Sequence, residues 1–230
     1  MTISVNVETN ANNIAGGGTT ITTTLASTLL GDGVVVGVGW LDTGNTITCT
    51  VADDKGNTYT AVGSKTRNAT QQYAVQLFRC TGTNANVSTV TLTATFSATT
   101  TFKDIKVEKI RCTNTWSADA LDAGYGSKTG TGNGTAMSTA SGTPSENNCA
   151  IFTYGAAGGG TVTAGSGFTL RTTGANGIGL ADLVQTTAAA KAGLLTVSAS
   201  NQWGICACAI KDGPAAAGTA QHQSAQLMFV

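Results

Sequence analysis

The stretch "VTLTATF", residues 90–96, decides the fold. Val90, Leu92, Ala94 and Phe96 alternate with Thr91, Thr93 and Thr95. Successive side chains of a strand point to opposite faces, so this period of two makes one apolar face and one hydroxyl-bearing face. The pattern continues in both directions. "NTITCTV" (45–51) sets Ile47, Cys49 and Val51 against threonines. "QYAVQLFRC" (72–80) places Tyr73, Val75 and Leu77 on one face, Ala74 and Phe78 on the other. "DIKVEKI" (104–110), "CAIFTYGA" (149–156), "GFTLRT" (167–172), "LLTVSAS" (194–200) and "WGICACAI" (203–210) follow. "GVVVGVGW" (33–40) is apolar throughout and reads as a central strand buried on both faces.

Roughly nine or ten short strands, about ten residues apart and parted by Gly, Asn and Asp, predict an all-β fold, an antiparallel β-sandwich of jelly-roll type. Its expected core includes Val34, Val36, Ile47, Val75, Leu77, Val90, Leu92, Phe96, Ile105, Val107, Phe152, Val197 and Ile205. Composition agrees. Of the 230 residues 30 are glycine, 2 are proline and only 10% are charged, against roughly 25% in average soluble domains. Threonine, β-branched and suited to a pleated surface with one wet face, takes the place of charge. The segment from 113 to 148 is rich in Gly, Ser and Thr and poor in large apolar residues. It is expected to be a long surface excursion of a single sandwich spanning 1–213, the alternative being a linker between two domains.

Net charge is zero, with no cluster of Lys and Arg to neutralise phosphates, so nucleic acid is not an expected partner. No apolar run approaches the roughly 20 residues of a membrane span. The start, "MTISVNVETNANN", has neither a basic region nor an apolar core of a signal peptide, which predicts synthesis and retention in a cytosol. The six cysteines form no CxxC pair. Cys206 and Cys208, two apart on a strand, share a face; a redox or metal role competes with two buried thiols, and burial is the expectation, with all six cysteines free. Neither a metal nor a cofactor is expected.

The densest group of acidic and amide residues is "TCTVADDKGNTYTAV" (48–62). As a calcium loop it lacks ligands at alternating positions and a closing glutamate. As a hairpin turn it has what is needed, alternating strands on either side and Gly56-Asn57 for positive φ. A turn is expected.

This motif also carries a resemblance. "VADDKGNTYTAVG", then "YAVQLFRCTGTNANVSTVTLTATFS", "DIKVEKI", "GSGFTLRT" and "WGICACAIK" follow in an order that resembles a β-sandwich domain of phage virion proteins and of some bacterial surface proteins. The likeness spans roughly residues 30 to 212. It implies a jelly-roll-like fold and a structural role, and brings no catalytic residues with it.

The residues themselves offer little chemistry. The single histidine, His222, lies outside the strand-rich body, so a Ser–His–Asp site has no base. Lys106, Glu108 and Arg111 read as the solvated face of a strand. "GTGNGT" (130–135) and "GAAGGGT" (155–161) open no helix and carry no P-loop lysine, so they read as flexible turns. Trp40 and Trp203 are expected in the core; Trp116 is expected to be an exposed contact. After "ACAIKDGP" a C-terminal arm, 214–230, ends in Leu227, Met228, Phe229 and Val230. An apolar tip on a polar arm predicts a subunit interface. The expected function is therefore a non-enzymatic virion protein, a capsid decoration or cement protein. Its partners would be itself, as a homo-oligomer with a trimer as first guess, and a major capsid or other virion protein. The alternative is a carbohydrate-binding or adhesive module of a tail fibre or cell surface.

Overall fold

The computed structural model describes residues 4–13 (as backbone), 17–26, 32–81, 89–111, 120–171 and 177–211. Among these there is no α-helix. Fourteen strands, β1 to β14, form three antiparallel sheets. The first sheet has the order β1 (Ser4–Asn13), β8 (Lys103–Arg111), β3 (Gly33–Leu41), β6 (Tyr73–Cys80), β5 (Thr60–Arg67). A three-stranded sheet, β2 (Thr20–Ala26), β7 (Thr89–Phe96), β4 (Cys49–Asp53), covers one of its faces. The other face meets a six-stranded sheet. This contains β11 (Val162–Ala164), β14 (Lys191–Lys211), β10 (Cys149–Ala157), β13 (Ile178–Gln185) and β12 (Thr169–Leu170), with β9 (Ser127–Gly142) along the far side of β14.

The expected antiparallel sandwich thus has one sheet more than two layers require, and the five-stranded sheet lies in the middle. Alternation along its strands feeds two cores. On β3, Val34, Val36, Val38 and Trp40 pack with Ile21, Leu25, Val90, Leu92 and Phe96 of the small sheet, where Trp40 and Phe96 hold their ring centroids 5.6 Å apart. Val35 of the same strand joins Val75, Leu77, Phe152, Tyr154, Leu180, Cys206 and Cys208 in the second core. All thirteen residues expected in the core are buried. So are Trp40, Trp203 and the pair Cys206 and Cys208.

The second core contains one large fit. The ring of Tyr154 on β10 lies over Gly37 and Gly39 of β3. A methyl group on Gly37 would sit 2.3 Å from Cδ2 of Tyr154, and one on Gly39 2.7 Å from its hydroxyl. The two glycines that interrupt an otherwise valine-rich run are the groove for that ring.

The six-stranded sheet folds over itself. β9 and β14 run antiparallel as one long ribbon from Lys191↔Gly142 to Cys208↔Ser127, and their register breaks between Thr196 and Asn201. There the ribbon doubles back, bringing Gly130 against the carbonyl of Ser138 and Gly193 against Ala207. The two halves enclose a third core of Tyr125, Met137, Ile151, Leu195, Val197, Trp203 and Ile205.

Several expectations are corrected here. The described part of the segment 113–148 includes a strand, β9, over Ser127–Gly142. "GTGNGT" (130–135) is no flexible turn but the middle of that strand. Of "GAAGGGT", Gly155 to Ala157 complete β10, and only 158–160 bend. Small residues were the sequence signal in both places, and they serve close packing of a folded ribbon rather than mobility.

Lys106 and Glu108 are buried, not solvated. Their strand lies in the middle sheet, where both faces are covered. Arg111, at the end of that strand, keeps a partly exposed cross-strand pair with Asp32 through Nε–Oδ1 at 2.8 Å and Nη2–Oδ2 at 3.0 Å.

The Asp-rich motif is a turn, but not a hairpin. β4 pairs with β7 in the small sheet, whereas β5 pairs with β6 in the middle one, so residues 54–59 carry the chain from one layer to the next. Asp53 builds this corner. Its Oδ1 accepts the backbone N–H groups of Lys55 (2.9 Å) and Asn57 (3.1 Å); its Oδ2 accepts Asn57 Nδ2 (2.7 Å) and the Tyr59 hydroxyl (2.9 Å). Of the expected Gly56-Asn57 pair only Gly56 takes positive φ, at 72°. Asp54 fastens the corner to β7 by exchanging backbone and side-chain bonds with Thr91. Another crossing between these sheets, after β3, is organised alike. The carboxylate of Asp42 accepts the N–H groups of Thr46 and Ile47 and the Lys65 ammonium.

Asp53→Ala is expected to lower stability by about 1–3 kcal/mol, because two backbone donors and two side-chain donors lose their acceptor together. Urea unfolding measures it. A variant within about 0.5 kcal/mol of wild type would show that the flanking strands alone set the corner.

Candidate functional site

The residues singled out as contacts, Trp116 and Leu227 to Val230, lie outside the described residues, as do Cys112 and His222. What is described is the pair of ends that adjoin them. The amide of Lys211, last residue of β14, donates to the carbonyl of Ala120 at 2.8 Å, and Leu121 bridges to Ile210. The chain therefore comes out of residues 112–119 and goes into residues 212–230 at neighbouring points.

That root is braced by Asp122. Its carboxylate accepts the N–H of Tyr125 (2.8 Å), the N–H of Ser145 (2.9 Å to Oδ1) and the Ser145 hydroxyl (2.6 Å). Burial pushes this carboxyl up, but the Ser145 hydroxyl and the two backbone donors outweigh it and hold it below its ordinary value. Lys211 closes the same corner with an ion pair to Glu146 at 3.1 Å.

The body has two other notable features. The outer face of the small sheet is a ladder of hydroxyls. Thr50, Thr95 and Thr20 line up across three strands, and Thr22 with Thr93 and Thr24 with Thr91 across two, with no charged side chain among them. Between the middle and the six-stranded sheet runs a row of charge. Asp104, Lys106 and Glu108 are buried on β8. The Tyr154 hydroxyl donates to Asp104 Oδ1 at 2.9 Å, and Lys106 Nζ lies 3.6 Å from Asp104 Oδ2. Burial pushes the Asp104 carboxyl up to about 6 against the pull of Lys106 and Tyr154. At the edge of this row Arg171 pairs with Asp182 of β13.

Sequence reasoning missed the row because lysine and glutamate alternating along a strand normally mark a wet face. A signal was available. "GVVVGVGW" needs cover on both sides, and a strand paired to a doubly covered strand has both of its own faces at risk of burial.

The chemistry of the described residues is quiet. All five described cysteines are free and buried. Burial raises the thiols of Cys49, Cys149 and Cys208 to about 12 and that of Cys80 to about 11, so none is an activated nucleophile. Among the described residues no group of three or more His, Cys, Asp or Glu gathers as metal ligands, and no helix is long and apolar enough to cross a membrane. No described Trp, Tyr or Phe is fully exposed. Comparison with family models, with curated proteins and with solved structures found no match.

Proposed function

We propose that this chain is a structural protein of a bacteriophage particle, a capsid decoration or cement protein that acts through surface complementarity. On this proposal it is made in the host cytoplasm, carries no catalytic centre or cofactor, and assembles with copies of itself and with a major capsid or other virion protein.

The observation that supports this most is how the body uses its reactive and anchoring groups. The described thiols and most described aromatic rings are buried in the cores, Asp42, Asp53 and Asp122 brace corners, and the outer face of the small sheet carries a ladder of threonine. A protein that works by being one of many copies needs rigid layers and an uncharged outer face; it does not need a cleft. The braced root at Ala120, Asp122 and Lys211 is then the base from which the arm, 214–230, reaches a neighbouring subunit with Leu227, Met228, Phe229 and Val230. The carbohydrate-binding alternative requires an exposed aromatic on which a sugar ring stacks, and the described residues supply none that is fully exposed, which leaves that role to Trp116 or Phe229.

Deleting residues 215–230 tests the proposal. The truncated protein is expected to keep its β-sheet circular dichroism and its melting temperature, yet to sediment as a monomer and fail to bind particles of its native source. Normal assembly by the truncated chain would refute the arm, and strong glycan-array binding would refute the structural role.

A further inference from the structure

Among the described residues, Glu108 is the carboxyl that the packing does not provide for. It is fully buried in the face of the middle sheet that meets the six-stranded sheet, and both of its oxygens lack a hydrogen-bond partner. The groups around it are few. On its own strand and face are Lys106 and Asp104, already joined to each other. Across the interface are Asp182 and Arg171, likewise joined to each other, and Tyr154, which donates to Asp104. Within the sheet, Glu108 is paired with Val35 on one side and Val7 on the other, and Arg79 stands beyond Val35 on the next strand. Lys106 and Arg171 are each engaged by another carboxylate, and neither donates a hydrogen bond to Glu108.

A buried neutral carboxyl without a partner is unfavourable, and a buried carboxylate without one is far more so. We propose that Glu108 is a pH-sensitive lock between the middle sheet and the six-stranded sheet: held as the neutral acid it lets the two faces close, and its ionisation loosens them. Burial first, and the neighbouring Asp182 carboxylate second, drive it well above the ordinary glutamate value of 4.5, with Arg171 opposing.

The direction in pH follows from proton counting. Between 4.5 and the raised folded midpoint the folded chain binds a proton that the unfolded chain has released. Stability is thus complete below that window and falls as pH rises through it, with the unfolding constant increasing about tenfold per pH unit for one whole proton. Asp104, raised from 3.8 to about 6, contributes in the same direction between those values. The lock does not depend on the proposed virion role.

The test is urea unfolding of wild type and Glu108→Gln from about pH 5 to about pH 9. Glutamine keeps the shape and removes the ionisation, while Asp104 is present in both proteins, so the difference between the curves isolates Glu108. The expected result is a wild-type unfolding constant that climbs relative to the variant by up to tenfold per pH unit, leaving Glu108→Gln the more stable protein at the alkaline end. Parallel curves would overturn the proposal. Should Glu108→Gln fail to fold, carboxyl carbon NMR of the wild type decides alone. A Glu108 side-chain resonance in the protonated position at neutral pH supports the lock, and one already ionised there refutes it.

Discussion

Tyr154→Ala is expected to lower the stability of the protein by roughly 3–5 kcal/mol, the range for removing a large buried ring. Few side chains in the molecule do as much. The ring fills the groove left by Gly37 and Gly39, packs between the middle and the six-stranded sheet, and donates its hydroxyl to Asp104 at 2.9 Å. Urea unfolding followed by circular dichroism measures the loss. Tyr154→Phe should cost only about 1–2 kcal/mol, since the ring stays and one acceptor is left unmet. Gly37→Ala should also destabilise, because its new methyl group meets the ring at 2.3 Å, but the same change made on top of Tyr154→Ala should cost far less. Residues in contact are not additive, and this pair is in contact. If Gly37→Ala costs the same in both backgrounds, the fit between ring and glycine groove is not what joins these layers.

Gly130→Val is expected to open the folded ribbon, at a cost of about 3 kcal/mol or more. Even a single methyl group at this position would lie 2.1 Å from the carbonyl oxygen of Ser138. The obstacle is backbone, so no rotamer change relieves it, and the two halves of β9 must separate. Separation uncovers Met137, Leu195 and Trp203, which are buried between the halves. The variant should show a red-shifted tryptophan emission and rapid proteolysis within 127–142 while the small-sheet core stays folded. Wild-type emission and protease resistance would mean that the outer half of the ribbon contributes little to the fold.

Both expectations concern glycines whose purpose is invisible along the chain. In the sequence, Gly37 and Gly39 are part of an apolar run read as one buried strand, and Gly130 is part of a stretch read as a flexible turn. Each is a place where another segment passes at close range, and the partners, Tyr154 and Ser138, are 117 and 8 positions away.

The period of two in "VTLTATF" and its relatives was enough by itself to establish strands, their apolar faces and eleven of the thirteen buried residues, since alternation is a local consequence of strand geometry and needs no partner to be seen. The double-sided character of "GVVVGVGW" was likewise legible, as was the turn in "DDKGN", because an aspartate followed by glycine and asparagine organises its own backbone. What the chain alone could not decide was how many layers those strands form and which strands meet. The Asp53 corner has the same local chemistry whether the next strand returns beside the last or crosses to another sheet. Lys106 and Glu108 look the same to their neighbours in sequence whether they face water or a second sheet. The Gly/Thr-rich run of β9 has no apolar pattern of its own and becomes a strand only because β14 pairs with it over its length. Burial of a charge, and with it the raised carboxyl of Glu108, is a property of what lies across the interface, and that is settled only when the six-stranded sheet closes on the middle one.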